Sequence, residues 1–262
     1  MSVAHIQSAG FLLELSPDWL VIRASCNAHS FLGEYHQRLV GDPISEFTMA
    51  QPLHDLRNSL ARQRSSSGIA RAYRVRLFDQ PERFDFAFQS TDSAILLEGL
   101  ASSDDGVGDY LGSVSRLIEG LHGGDRKQLM EGAARRMRAL TGFDRATLTL
   151  GDERVESARG TMAELHLDGE LPPIVANTGE DTVALFPDKP GDPVSSALLR
   201  APTGEQLEAL RSAGIASVLR VPVSVDGEAI GSFECDNRNA RPPSFELHAA
   251  AELFAQIFGM ML

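Results

Sequence analysis

Residues 198–215, LLRAPTGEQLEALRSAGI, carry the densest local information in the chain. Thr203 can accept a hydrogen bond from the backbone N–H three residues on, and Gln206 can reach back to the N–H of Thr203. That spacing predicts a capping box at the start of a helix. Leu207 and Leu210 give the helix an apolar stripe, and Gly214 supplies the left-handed residue that ends it. Leu219, Val221, Val223 and Val225 then alternate as a strand. Asp226-Gly227 predicts a tight hairpin turn, and Glu228 to Asp236 returns as the second strand.

At 262 residues, 43% apolar and 23% charged, the chain has ordinary globular composition and room for two domains. A net charge of −12 argues against nucleic acid, whose phosphates need a clustered positive surface. Arg135, Arg136 and Arg138 do cluster, but on a helix that also carries Asp125 and Glu131, and they read as a solvated face. No apolar run approaches the ~20 residues of a membrane span. The opening Met-Ser-Val-Ala-His lacks the basic region and apolar core of a signal peptide, so a cytoplasmic location is expected. Cys26 and Cys235 are too few and too far apart for a disulfide framework and read as small core hydrophobes. The histidines show no ligand spacing, so no metal site is expected. No GxSxG, HExxH, P-loop or DFG-like pattern occurs, and catalysis is not expected.

Taken in order, Phe11 to Leu15 and Leu20 to Ala24 read as strands about the turn triplet Ser16-Pro17-Asp18. Asn27 to Leu32 reads as a short helix ending at Gly33, and Pro52 to Gln63 as a longer one with Leu53, Leu56 and Leu60 on one face. Ser65 to Gly68 breaks it. Arg71 to Phe78, Phe84 to Ser90 and Ala94 to Leu100 then read as three strands. Residues 101–109 form a polar, glycine-bearing linker. Tyr110 to Leu121 and Arg126 to Leu140 follow as amphipathic helices, then a strand at Ala146 to Leu150. Ser244 caps a final helix that runs to Leu262.

The stretch at 198–215 resembles the bilin-pocket segment of phytochromes, LRAPHGCHLQYMxNMG, which is followed there by a hairpin ending in a His-His pair. Other segments support the likeness. Ile6-Gln7-Ser8-Ala9-Gly10 resembles the IQPHG that opens the phytochrome PAS domain, and Phe84 to Glu98 is similar to its FDxxxHRSDGxxxLELE, with Gln89 for the His. Gly142-Phe143-Asp144-Arg145 resembles the GFDR that opens the first GAF strand. The resemblance implies an α/β (α+β) chain of two domains, PAS-like then GAF-like, each a central antiparallel sheet flanked by helices. It divides the chain as 1–100, a linker at 101–109, and 110–262.

The resemblance also implies a pocket in the GAF domain whose chemical residues are exchanged. Glu205 stands where plant and cyanobacterial members place the bilin-linking Cys, and Gln206 where the family places its pocket His. Asp236-Asn237 replaces the His pair, Thr149 a pocket Tyr, Ala184 an Arg that pairs a propionate, and Glu170 the Asp of LHxPASDIP. Thr149, Glu170, Ala184, Thr203, Glu205, Gln206 and Asn237 are thus the candidate ligand-binding residues. The simpler reading of Gln206 is the capping box, and of Asp236-Asn237 a polar strand end. No thiol remains in a known attachment position. The expectation is a sensory module without covalent bilin, sensing a small ligand or a protein; the alternative is a photoreceptor fragment holding bilin non-covalently.

Two further expectations follow. In phytochromes the segment before the PAS domain threads through a GAF loop, but only five residues precede Ile6, too short a reach at ~3.3–3.6 Å each. Residues 176–193 are therefore expected to be unthreaded and mobile. The last helix, with Phe254, Ile257, Phe258, Met260, Met261 and Leu262, together with Tyr110 to Leu121, is expected to form a homodimer bundle that signals to an output domain or partner protein.

Overall fold

A computed structural model describes residues 4–62, 68–102, 110–121, 124–165, 167, 169–188 and 193–262. Most of the expected linker and of the Ser65–Gly68 break lie outside the described residues. In chain order the strands and helices are β1 (His5–Gln7), β2 (Phe11–Leu15), β3 (Val21–Ser25), α1 (Ala28–Leu32), α2 (His36–Leu39), α3 (Ala50–Ala61), β4 (Ala70–Val75), β5 (Phe84–Ser90) and β6 (Ile95–Ala101). They continue as α4 (Tyr110–Glu119), α5 (Arg126–Thr141), β7 (Arg145–Leu150), β8 (Glu153–Ala158), β9 (Ile174–Val175), β10 (Thr182–Phe186), α6 (Gly204–Ser212), β11 (Ser217–Val225), β12 (Glu228–Asn237) and α7 (Phe245–Gly259). The chain forms two compact units: Met1–Asp104 with Glu180–Ala201, and Asp105–Gly179 with Pro202–Leu262.

The first unit is an antiparallel sheet in the order β1-β10-β3-β2-β6-β5-β4. Its central strands are apolar on both faces: Phe11, Leu13, Phe84, Phe86 and Leu97 pack on one core, while Leu12 and Leu96 join a second with Ile6, Leu185, Val194 and Ala197. Phe11 meets Phe84 edge to face at 5.6 Å, an arrangement that adds to simple area burial. Gly33 ends α1 in the left-handed conformation, as expected, with φ 73°.

Residues 176–193, expected to be mobile, hold a paired strand at their centre. Thr182 to Phe186 is strand β10, paired antiparallel with both β1 and β3. The other edge of β1 is held too: Gln7 N–H donates to Leu199 O at 2.9 Å, and Ala201 N–H to His5 O at 3.0 Å. His5–Gln7 therefore runs between the two arms of the 180–201 segment. The reason is backbone satisfaction: a three-residue strand with unpaired edges would leave N–H and C=O groups stranded beside a core. Val183 and Leu185 add apolar cover over Ile6. Residues 189–192 of the loop lie outside the described residues.

The second unit is an antiparallel sheet ordered β8-β7-β12-β11-β9. Asp226 (φ 50°) and Gly227 (φ 85°) both take positive φ, the requirement of the tightest hairpin turn, and join β11 to β12 as expected. Helices α4, α5 and α7 cover one sheet face, where Ala146, Leu148, Leu150, Leu219, Val221, Val223, Phe233 and Cys235 form the core with Met130, Met137, Phe254 and Phe258. This corrects part of the bundle expectation. Phe254 and Phe258 are fully buried, packed on Phe233 at 6.0 and 5.6 Å, so they serve the unit's own core and are not free for a second chain.

Candidate ligand face of the second unit

The period of two along each strand sends every other side chain away from the helices, and cross-strand register sorts these into rows. Arg145 on β7 stands opposite Asp236 on β12, which stands opposite Val218 on β11. In the next row Glu156, Thr147, Glu234 and Arg220 run across β8, β7, β12 and β11. Arg154, Thr149, Ser232 and Pro222 make the third. This face is polar, yet much of it is buried: Arg145 and Asp236 are 2% and 0% exposed. The segment after β8 and helix α6 pack beside it through Leu171, Val175, Leu210, Ile215 and Val218.

Two ion pairs organise the charge. Arg145 Nε and Nη2 both lie on Asp236 Oδ2, at 2.8 and 2.7 Å, and Nη1 donates to Ala163 O at 2.9 Å. Arg220 pairs with the exposed carboxylate of Glu170. Among the described residues Glu234 has no such partner. Burial, and then the neighbouring charge of Asp236, push its carboxyl up to about 7 against the opposing pull of Arg220, Arg145 and Arg154. Burial raises Asp236 as well, with Arg145 opposing.

The residues expected from the sequence fall in different places. Thr203 Oγ1 accepts from Gln206 N–H at 3.2 Å and Gln206 Oε1 from Thr203 N–H at 3.0 Å, the capping box in full. Gln206 Nε2 donates to Glu170 O at 3.3 Å, so both ends of the amide are engaged. Glu205 lies exposed in the first turn of α6, where a negative charge suits the helix N-terminus. Asn237 is a brace: its Oδ1 accepts from Asp144 N–H at 3.2 Å and its Nδ2 donates to Asn239 O at 2.9 Å. Thr149 sits half-buried at the rim of the polar face. Ala184 is elsewhere, in β10 opposite His5 in the first unit.

Arg145, Thr147 and Glu234 were not among the candidate residues expected from the sequence, and Asp236 was placed there in the slot of the His pair, with a polar strand end as the simpler reading. Their one signal is alternation with Ala146, Leu148, Phe233 and Cys235, and a buried polar face alternates just as a solvated one does. Cys235 points to the helix side, in the core, where burial pushes its thiol far above the usual range.

Family models place a GAF domain over residues 125–262 and a PAS fold over residues 2–98. A comparison with curated proteins finds no match. Among solved structures, the wild-type chromophore-binding domain of Stigmatella aurantiaca phytochrome P1 aligns with TM-score 0.78 at 23% identity, covering 98% of this chain and 95% of that one. The chromophore-binding domain of an unusual bacteriophytochrome from R. palustris gives 0.77 at 22%, with 98% and 94% covered. The longer structure of that bacteriophytochrome gives 0.80 at 22%, covering 99% of this chain and 59% of that one. At such identities the likeness is one of fold.

Proposed function

The chain belongs to the GAF domain family, with a PAS fold ahead of that domain, and we propose that this phytochrome-like sensory module reads a small ligand on the polar face of its GAF sheet without covalent bilin. The observation that carries the reading is the state of the inner arginines. Arg145 is held by Asp236 and Arg220 by Glu170, so neither stands ready for an anionic ligand.

A bilin, which the fold family implies, fits these residues poorly. Covalent attachment needs a thiolate. Glu205 occupies the attachment slot, Cys235 faces the core with its thiol protonated, and Cys26 belongs to the PAS unit. Non-covalent binding needs cations for two propionates, and Arg145 and Arg220 are already paired with Asp236 and Glu170. Gln206, in the slot of the pocket His, is spent on its capping box and on Glu170 O.

The test is co-expression with biliverdin, followed by zinc-enhanced fluorescence of the denatured band. No fluorescent band is expected. A bright band that disappears in Cys26→Ala or Cys235→Ala overturns the reading.

We take the module as non-catalytic and cytoplasmic, passing its state to an output domain or partner protein as a homodimer. Supporting the dimer, Tyr110, Leu117, Ile118, Leu253 and Ile257 are only partly covered by the unit's own core, and Met260 is 78% exposed. Among the described residues no helix is long and apolar enough to cross a membrane.

A further inference from the structure

Among the described residues, two buried oxygens on the GAF face have no protein partner. Asp236, 0% exposed, takes both arginine contacts on Oδ2, and its Oδ1 accepts nothing. Thr147, 5% exposed, has an equally unmatched Oγ1. Buried polar atoms in native proteins are almost always paired, so two such atoms on one sheet face call for a reason. They share that face by register: Asp236 and Glu234 lie two apart on β12, and Thr147 is the cross-strand partner of Glu234 on β7.

The charge around them is acidic once existing pairs are set aside. Glu234 is faced by Asp236 on its own strand, Arg220 on β11, Arg145 on β7, and Arg154 and Glu156 on β8. Arg145 already neutralises Asp236, and Arg220 neutralises Glu170. Arg154 and Glu156 are exposed on the edge strand, where solvent weakens their effect. Among the described residues no donor reaches the Glu234 carboxylate. Two neighbouring carboxyls that each resist ionisation are stabilised by a proton or by a cation placed between them. No three described metal-ligating side chains converge to hold a metal ion. What the face offers is a set of oxygen acceptors, which suits N–H donors.

We propose that this face binds a small organic cation of the amidinium or alkylammonium type, whose N–H groups donate to Asp236 Oδ1, Thr147 Oγ1 and the Glu234 carboxylate. The proposal rests on the small-ligand reading above and supplies the ligand's class. Burial pushes the unliganded Glu234 carboxyl up to about 7, so roughly half of it is protonated at pH 7, and cation binding expels that fraction of a proton to buffer.

Calorimetric titration at pH 7 with benzamidinium tests it, using two buffers of different ionisation heat, with benzoate and biliverdin as anionic probes. Benzamidinium is expected to bind with a heat that depends on the buffer, the sign of proton release. Glu234→Gln removes the buffer dependence and weakens binding by about tenfold or more, the loss of a charge-assisted bond. Thr147→Val weakens binding several-fold and keeps the proton release, and it carries the test should Glu234→Gln fail to fold. Unchanged benzamidinium binding in folded Glu234→Gln overturns the proposal. Binding of benzoate or biliverdin in place of benzamidinium overturns the cation class and leaves the small-ligand reading standing. Silence with all three probes overturns both.

Discussion

Glu98 shows how much a single buried carboxylate can hold. Its two oxygens accept the backbone N–H groups of Leu199 at 2.7 Å and Leu198 at 3.0 Å, anchoring the segment that leads to the α6 cap. Burial nevertheless raises its pKa from 4.5 to about 7, the N–H donors opposing. Glu234 shifts in the same direction. A folded-state pKa above the unfolded value means that the native state binds the proton more tightly. The stability these groups contribute is complete below about pH 4.5 and is lost as pH rises through about 7. Urea midpoints measured from pH 5 to pH 8 should fall across that window, and Glu234→Gln should flatten the slope. In Glu98→Gln an amide NH2 must face one of the two backbone N–H donors, so a buried donor goes unpaired at a cost of ~1–3 kcal/mol. Faster amide exchange at Leu198 or Leu199 would report it. The Arg145–Asp236 pair is the other sensitive point: Arg145→Met strands a buried carboxylate and should cost ~3–5 kcal/mol, whereas Arg145→Met with Asp236→Leu should recover most of that.

At the scale of elements, the hairpin depends on close approach as much as on turn chemistry. A Cβ at Gly231 would lie 1.9 Å from Thr149 O and 2.8 Å from Leu150 Cδ2, and the first of these atoms is backbone that cannot swing away. Gly231→Ala must therefore push β12 off β7 just where the polar face ends. The expected cost is ~1–3 kcal/mol, with amide protection lost locally between Leu150 and Gly231. Helix α6 is held at both ends, by the capping box and by Ile215 N–H donating back to Leu210 O at 2.9 Å across Gly214. Thr203→Ala should cost about 1 kcal/mol and free the Gln206 side chain from one of its anchors. Normal stability in that variant would mean that Glu170 O alone suffices to place Gln206.

On the scale of the whole molecule, the first unit is discontinuous in sequence. It draws β10 and the apolar residues Leu185, Val194 and Ala197 from residues 180–201. A fragment ending at residue 104 therefore lacks the partners of both edges of β1 and part of a core. Such a fragment should bind a hydrophobic dye and exchange the amides of His5–Gln7 quickly, while the intact chain does neither. For the proposed homodimer, the informative substitutions are on the half-covered stripe of α7. Leu253→Glu with Ile257→Glu should turn a sedimenting dimer into a folded monomer. Phe254→Glu or Phe258→Glu should unfold the unit instead, because both rings sit in its core.

Local signals in the sequence determined the elements: the Thr203–Gln206 cap, the Asp226-Gly227 turn, the Ser244 cap whose Oγ accepts from Leu247 N–H at 3.1 Å, and the alternation of β5 and β11. Each needs only residues within a few positions, and short-range sterics and hydrogen bonding decide it. Motif spacing likewise made the two-domain α/β order readable from the residues alone. The tertiary structure decided the rest. Strand β10 is five residues in a turn-rich, acidic stretch, and it is a strand because β1 and β3 offer it two edges far away in sequence. Phe254 and Ile257 look alike on a helical wheel, and only the position of Phe233 makes one core and leaves the other half-covered. Arg145 and Asp236 stand 91 residues apart. Their pairing, the neighbouring orphan oxygens and the acid at Glu234 exist only because sheet register brings two strands distant in sequence side by side and burial then makes each unpaired atom costly.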